Sequence, residues 1–178
     1  MIYVIRHGQT DLNKDGRTQG KKGLPLNDIG KQQAYEAKET LKDIHFDLVF
    51  SSPQERAIQT AQIATGIKPT IDERLDAMDM GTADNMKKQD IKVVDFLPDR
   101  AIYSGVETLD CFVKRITNFM DELIKKINKQ NLNILICGHK CTTAIIHCYF
   151  NGMPENKNFW QYGLKNGQLQ SYDIKGAK

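Results

Sequence analysis

Met1-Ile2-Tyr3-Val4-Ile5-Arg6-His7-Gly8-Gln9-Thr10 opens the chain, and the fold is decided by how this stretch is read. Residues 2–5 are a continuous apolar run rich in β-branched side chains. Such a run forms a strand covered on both faces, as in the parallel sheet of an α/β protein. It stops at once on Arg6, His7 and Gly8. Ligands of open α/β sheets bind outside the carboxyl ends of the strands, so these residues are placed at a crevice. Gly8 is read as letting a ligand approach the backbone. Arg6 offers a fork of donors suited to phosphate, and His7 a nucleophilic nitrogen. The alternative is a strand that merely ends at the surface.

A second strand, Phe46–Ser51, runs into Ser52-Pro53-Gln54-Glu55. Ser52 as a cap, Pro53 at the first helical position and Glu55 closing a capping box predict a helix starting on the strand end. Arg56 falls in its first turns, where helix N-termini favour anions. Asn133-Ile134-Leu135-Ile136-Cys137-Gly138-His139 repeats the opening logic, an apolar strand ending in Gly-His with a helix, Thr142–Phe150, behind it. Parallel neighbours would bring His7 and His139 into one crevice. With Arg6 and Arg56 they would surround a phosphoryl group.

The rest of the chain frames this set. Segment 11–24 is polar and basic and is read as a long loop at the site. Asn27 caps a helix running to Leu41. Thr70–Leu75 is read as a short strand, and 76–104 as an irregular, partly helical excursion over the site. Leu109, Phe112, Val113, Ile116, Phe119, Leu123 and Ile127 predict a long amphipathic helix over 107–129. Asn166-Gly167, within 164–174, signals a hairpin giving one or two edge strands.

With 178 residues, 40% hydrophobic and 26% charged, the chain suits one domain spanning 1–178. A net charge of +3 is too small to indicate nucleic acid binding. There is no 18-residue apolar run for a membrane span. A strand at the very start leaves no room for a secretory signal, and the four cysteines form no CxxC pair. Cytoplasmic localisation with reduced thiols, and no metal, are therefore expected. The sequence is silent on oligomeric state.

Taken together, the residues resemble the histidine phosphatases, the phosphoglycerate mutase-like superfamily. The matching stretches are Arg6-His7-Gly8-Gln9-Thr10 with Asn13, Gly16-Arg17 with Gln19-Gly20, and Pro25-Leu26-Asn27 with Gly30 and Gln33-Ala34. Ser51-Ser52-Pro53 with Arg56-Ala57 and Gln59-Thr60-Ala61 follow, then Gly105, Glu107 and Arg115, then Gly138-His139. The resemblance implies a three-layer α/β/α sandwich with a mostly parallel central sheet. It implies His7 as phosphohistidine nucleophile, with Arg6, Arg56 and His139 as the phosphate pocket and no cofactor. Gly8, Thr10, Asn13, Gln19 and Gly20 are expected at the substrate, a small phosphorylated metabolite or a phosphoprotein.

Three departures stand out. In the frame Arg74-Leu75-Asp76-Ala77-Met78-Asp79-Met80-Gly81 the family's general-acid Glu is replaced by Ala77. Asp76 or Asp79 could serve instead after a small backbone shift. Lys140-Cys141 stands where Gly-Gly is common, so Lys140 either adds charge at the pocket or points to solvent. Gly23 stands where an Asp is frequent. The leading expectation is a metal-independent phosphatase. The alternatives are a phosphoglycerate mutase-type phosphotransferase and a phosphate-binding regulatory module with little turnover.

Overall fold

The computed structural model describes residues 1–127, 131–156 and 158–173. In chain order the elements are β1 (Ile2–Arg6), α1 (Asp11–Lys14), α2 (Asp28–Leu41), β2 (Leu48–Ser51), α3 (Glu55–Thr65) and β3 (Thr70–Ile71). Then come β4 (Val93–Val94), β5 (Leu97–Pro98), α4 (Leu109–Ile127), β6 (Ile134–Gly138), α5 (Lys140–Asn151) and β7 (Leu169–Tyr172).

Alternation along the central strands makes the layers. Ile2 and Val4 of β1, with Ile134 and Ile136 of β6, pack into a core completed by α4 and α5. Their neighbours Ile5, Leu135 and Cys137 point to the other face and meet Ala37 and Leu41 of α2 and Ala57, Ala61 and Ala64 of α3. Successive strand side chains alternate faces, so a continuously apolar strand needs helices on both sides. The result is the expected three-layer sandwich. Its sheet runs β3-β2-β6-β1-β7, parallel except for β7, which is antiparallel to β1. Among the described residues no helix is long and apolar enough to cross a membrane.

Local chemistry adjusts several boundaries. The Asn27 side chain accepts from the Gly30 amide at 2.9 Å and starts α2 as its capping role predicts. The stretch after Thr10 is not all loop. The Thr10 hydroxyl accepts from the Asn13 amide while the Asn13 carboxamide accepts from the Thr10 amide, a reciprocal cap that nucleates the one-turn α1. The expected strand 70–75 shrinks to β3, because Asp72 accepts from the Arg74 amide and turns the chain into a 3₁₀ turn. α4 carries the anticipated stripe, with Met120 added. Positions 128 and 129 of the anticipated helix, and 174 of the anticipated hairpin, lie outside the described residues.

Two expectations are corrected. Ser52 does not cap α3: Gln54 takes that position without a side-chain bond, and the Ser52 hydroxyl accepts from the Gln54 amide at 3.2 Å, one step ahead of the helix. Asn166-Gly167 does not join two strands. Gly167, at φ +73°, turns the chain so that its amide meets the Arg6 and His7 carbonyls, and of residues 164–173 only β7 forms a strand, pairing with β1. The excursion after β3 is built from 3₁₀ turns and the β4–β5 hairpin. It is clipped to the loop after α1 through Thr18 N to Met86 O (2.8 Å) and Lys88 N to Gly16 O (3.0 Å).

Candidate active site

β1 and β6 are hydrogen-bonded neighbours in parallel register, Arg6 opposite Gly138. The next residue of each strand is a histidine, so both imidazoles emerge at the same sheet edge with ring centres 5.1 Å apart. Each is 3% exposed. They form the floor of a cleft of about 300 Å³ that also takes in Arg6, Asn13, Arg17, Gln19, Lys88, Lys140 and Trp160.

His7 Nδ1 lies 2.7 Å from the Gly8 carbonyl oxygen. A carbonyl only accepts, so Nδ1 carries the proton and Nε2 keeps its lone pair. His139 has the opposite arrangement. Arg56 Nη2 lies 3.2 Å from His139 Nδ1, and a guanidinium only donates. The His139 proton therefore sits on Nε2 and is given to Ser52 Oγ at 2.7 Å. Ser52 in turn lies 3.4 Å from Asp76 Oδ1. A chain thus runs from Arg56 through His139 and Ser52 to a buried carboxylate.

Electrostatics keeps both rings neutral. Burial, followed by Arg56 and Arg6 nearby, holds His7 well below the usual histidine pKa. Burial, then Arg56, His7 and Arg6, does the same to His139. Arg56 is 1% exposed, and its Nη2 also donates to the Gly20 carbonyl at 2.9 Å. Burial brings both Arg6 and Arg56 down to about 10. Neither guanidinium makes an ion pair among the described residues, and each has an Nε that is buried without a partner. Gln19 Nε2 is in the same state. Buried donors left open cost stability, and a cluster of them is what a site for a multivalent anion looks like before the anion arrives.

The sequence-derived residues separate into groups. Arg6, His7, Asn13, Gln19, His139 and Lys140 line the cleft, and Arg56 reaches it through His139. Gly8, Thr10 and Gly20 do not line it. A Cβ on Gly8 would collide with the Gly30 carbonyl, so this glycine serves the close packing of β1 against α2, not ligand approach. The Thr10 hydroxyl donates to Gln19 Oε1 at 2.6 Å, and the Gly20 amide to Asp84 at 2.8 Å. Gly23 has a physical reason of its own, since a side chain there would strike the Arg56 guanidinium.

Asp76 and Asp79 do not line the cleft either. The Asp76 carboxylate is turned toward Ser52 and the Ala77 amide (2.7 Å). Asp79 accepts from the Gly81 amide at 2.9 Å and faces Lys21. A small backbone shift is opposed by Arg115, which donates to the carbonyls of Arg74, Asp76 and Ala77 and is itself held by Glu107. Glu107 also bonds the Asp79 amide.

Several partners escaped the sequence. Asn166 Nδ2 reaches the His7 and Gly8 carbonyls and Asn13 Oδ1, at 3.0–3.3 Å. The Asn-Gly pair was a legible turn signal, but its docking on β1 was not. Thr60 accepts from the Gly8 amide and donates to the Arg56 carbonyl, joining the segment that carries His7 to the one that carries Arg56. Lys88, Phe96 and Trp160 come from segments without periodicity.

Residues 2–178 match the family described as the histidine phosphatase superfamily, branch 1. The chain belongs to the histidine phosphatase superfamily. Over 160 residues it is 32% identical to the uncharacterized phosphatase PhoE of Bacillus subtilis, covering 86% of this chain and 79% of that protein. It is 26% identical over 184 residues to phosphoserine phosphatase 1 of Hydrogenobacter thermophilus, covering 97% and 84%. The crystal structure of the alpha-ribazole phosphatase from Shigella flexneri superposes with a TM-score of 0.79 at 27% identity, over 94% of this chain and 87% of that one. The parallel register of β1 and β6 brings Arg6, His7 and His139 to the cleft.

Proposed function

We propose that this protein is a metal-independent phosphatase that hydrolyses a small phosphorylated metabolite through a phosphohistidine on His7. The observation that carries the proposal is the His7 tautomer: Nδ1–H is tied to the Gly8 carbonyl, so Nε2 is an unprotonated nucleophile in a cleft lined by Arg6 and within the field of Arg56. Relatives named as phosphoserine and alpha-ribazole phosphatases support a metabolite as the substrate class.

In the first step His7 Nε2 attacks phosphorus. The N–P bond forms, the P–O bond to the leaving group breaks, and its electron pair leaves on that oxygen. The charge spread over the equatorial oxygens is met by the guanidinium groups of Arg6 and Arg56, already held at the site, and by His139 once it is protonated. In the second step water attacks the phosphohistidine, the N–P bond breaks, and phosphate leaves. An anion in the cleft also offsets the field of Arg6 and Arg56, which raises the proton affinity of His139. Ser52 and Asp76 lie where they can stabilise the imidazolium so formed.

Replacing His7 by Ala should abolish phosphate release while leaving the fold intact. Turnover retained in that variant would defeat the proposal. The absence of a carboxylate among the cleft-lining side chains also favours a second reading, a phosphate-binding module with little turnover. A broad phosphoester panel separates the two, and efficient interconversion of phosphoglycerates would instead select the mutase reading.

A further inference from the structure

Beyond the two histidines, the cleft lining holds two unlike sets of side chains. One is cationic. Lys140 is the first residue of α5, directly after His139, and its stem runs past Gly163, where a Cβ would strike it. The backbone of Lys88 is held where its amide donates to the Gly16 carbonyl at 3.0 Å. Both line the cleft, and neither forms an ion pair with a carboxylate among the described residues. Arg17 lines the same space. The other set is apolar and includes Val93, Phe96 and Trp160. Phe96 sits at φ +67° beside Asp95 at φ +49°, so the β4–β5 turn holds two side chains in the left-handed region that normally calls for Gly or Asn. Strain of this kind persists where the surrounding structure imposes it, and it clusters at functional sites. Here it sets an aromatic ring at the cleft with 55% of its surface exposed.

We propose that the leaving group of the substrate carries a second anionic group, a carboxylate or a further phosphate, on an apolar body, with the anion held by Lys88 and Lys140 and the body lying against Phe96 and Trp160. This rests on the phosphatase reading for which end of the substrate faces His7. Like charges gathered in one cleft without counter-charges repel one another until an anion enters, and a cleft lined by one sign concentrates the opposite sign. Burial first, then Arg6 and Lys140, lower the Lys88 ammonium from its ordinary value. A substrate carrying only the transferred phosphate would leave these charges unmatched.

Three non-hydrolysable probes test the inference without relying on turnover. Phenylphosphonate and 3-phosphonobenzoate differ by one carboxylate on the ring, and 1,3-phenylenediphosphonate replaces that carboxylate by a second phosphonate. Calorimetry on the native protein should show tighter binding of 3-phosphonobenzoate or the bisphosphonate than of phenylphosphonate. The expected margin is roughly tenfold, the size of one charge-assisted hydrogen bond. Which of the two binds better distinguishes a carboxylate from a phosphate as the second group. In Lys88→Gln/Lys140→Gln the margin should fall toward one. Equal affinities in the native protein, or a margin that survives in the double variant, would overturn the inference. The phosphatase reading is scored separately, by His7-dependent turnover of phosphoesters. Turnover with equal probe affinities sinks only the second-anion site, and a lysine-dependent margin without turnover sinks only the phosphatase.

Discussion

Replacing Arg56 by Met separates what this guanidinium does for the fold from what it does for an anion. In the free protein Arg56 is a buried cation without a carboxylate partner, and burial lowers its pKa to about 10. That displacement corresponds to roughly 3 kcal/mol against the charged form. Met removes this cost but leaves the Gly20 carbonyl and His139 Nδ1 without their donor, a penalty of about 1–3 kcal/mol each. The opposing effects nearly cancel, so the melting temperature of the free variant should stay within a few degrees of the native value. Catalysis has no such compensation. Losing one preorganised donor to the transition-state charge typically costs 10²–10³-fold, about 2.7–4 kcal/mol. The assay pairs kcat/KM on an aryl phosphate with thermal melts in the presence and absence of sulfate. Expected are a fall in kcat/KM of that size, a nearly unchanged melt without sulfate, and loss of the sulfate-induced stabilisation. A variant within about tenfold of native kcat/KM would refute the claim that Arg56 holds the transferred group.

Sulfate keeps its charge between pH 8 and 5, so it can report on the histidines. The folded state holds His7 and His139 neutral well below the ordinary value, while an unfolded chain protonates them near 6.5. The unfolded state therefore binds more protons as pH falls through 6.5, and the free protein should lose stability there. Bound sulfate counters the two arginines and lets a histidine take up a proton, so the sulfate-induced rise in melting temperature should grow from pH 7.5 to 5.5; a constant rise would contradict the neutral-histidine assignment. With no carboxylate lining the cleft among the described residues, kcat/KM on a series of aryl phosphates should climb steeply with phenol acidity, and a flat series would reveal an acid. Asn166→Ala removes contacts to the His7 and Gly8 carbonyls and should lower kcat more than it raises KM, because it loosens the nucleophile's backbone; an effect confined to KM would argue against that positioning.

The sandwich was legible because β1 and β6 are continuously apolar, and a strand buried on both faces leaves few architectures. The convergence of His7 and His139 followed from the same pattern, since each closes a strand and the strands are parallel neighbours. Side-chain direction was less accessible. Asp76 sits one residue from the frame position of the missing acid, yet its carboxylate turns to Ser52, because Arg115 fixes the backbone through three carbonyls. Nothing local in residues 74–79 encodes that contact, which spans some forty positions. Gly8 read as ligand access and proved to be a packing contact with Gly30. Lys88 and Phe96 lie in a segment whose shape comes from clips to the loop after α1, and such clips leave no periodic trace.

The most direct test of the phosphohistidine claim is where phosphate resides during turnover. Enzyme mixed with labelled aryl phosphate, quenched in alkali and digested, should yield an acid-labile phosphopeptide containing residue 7, modified at Nε2 and absent from His7→Ala. Label on any other residue, or turnover by His7→Ala at a native rate, would contradict it.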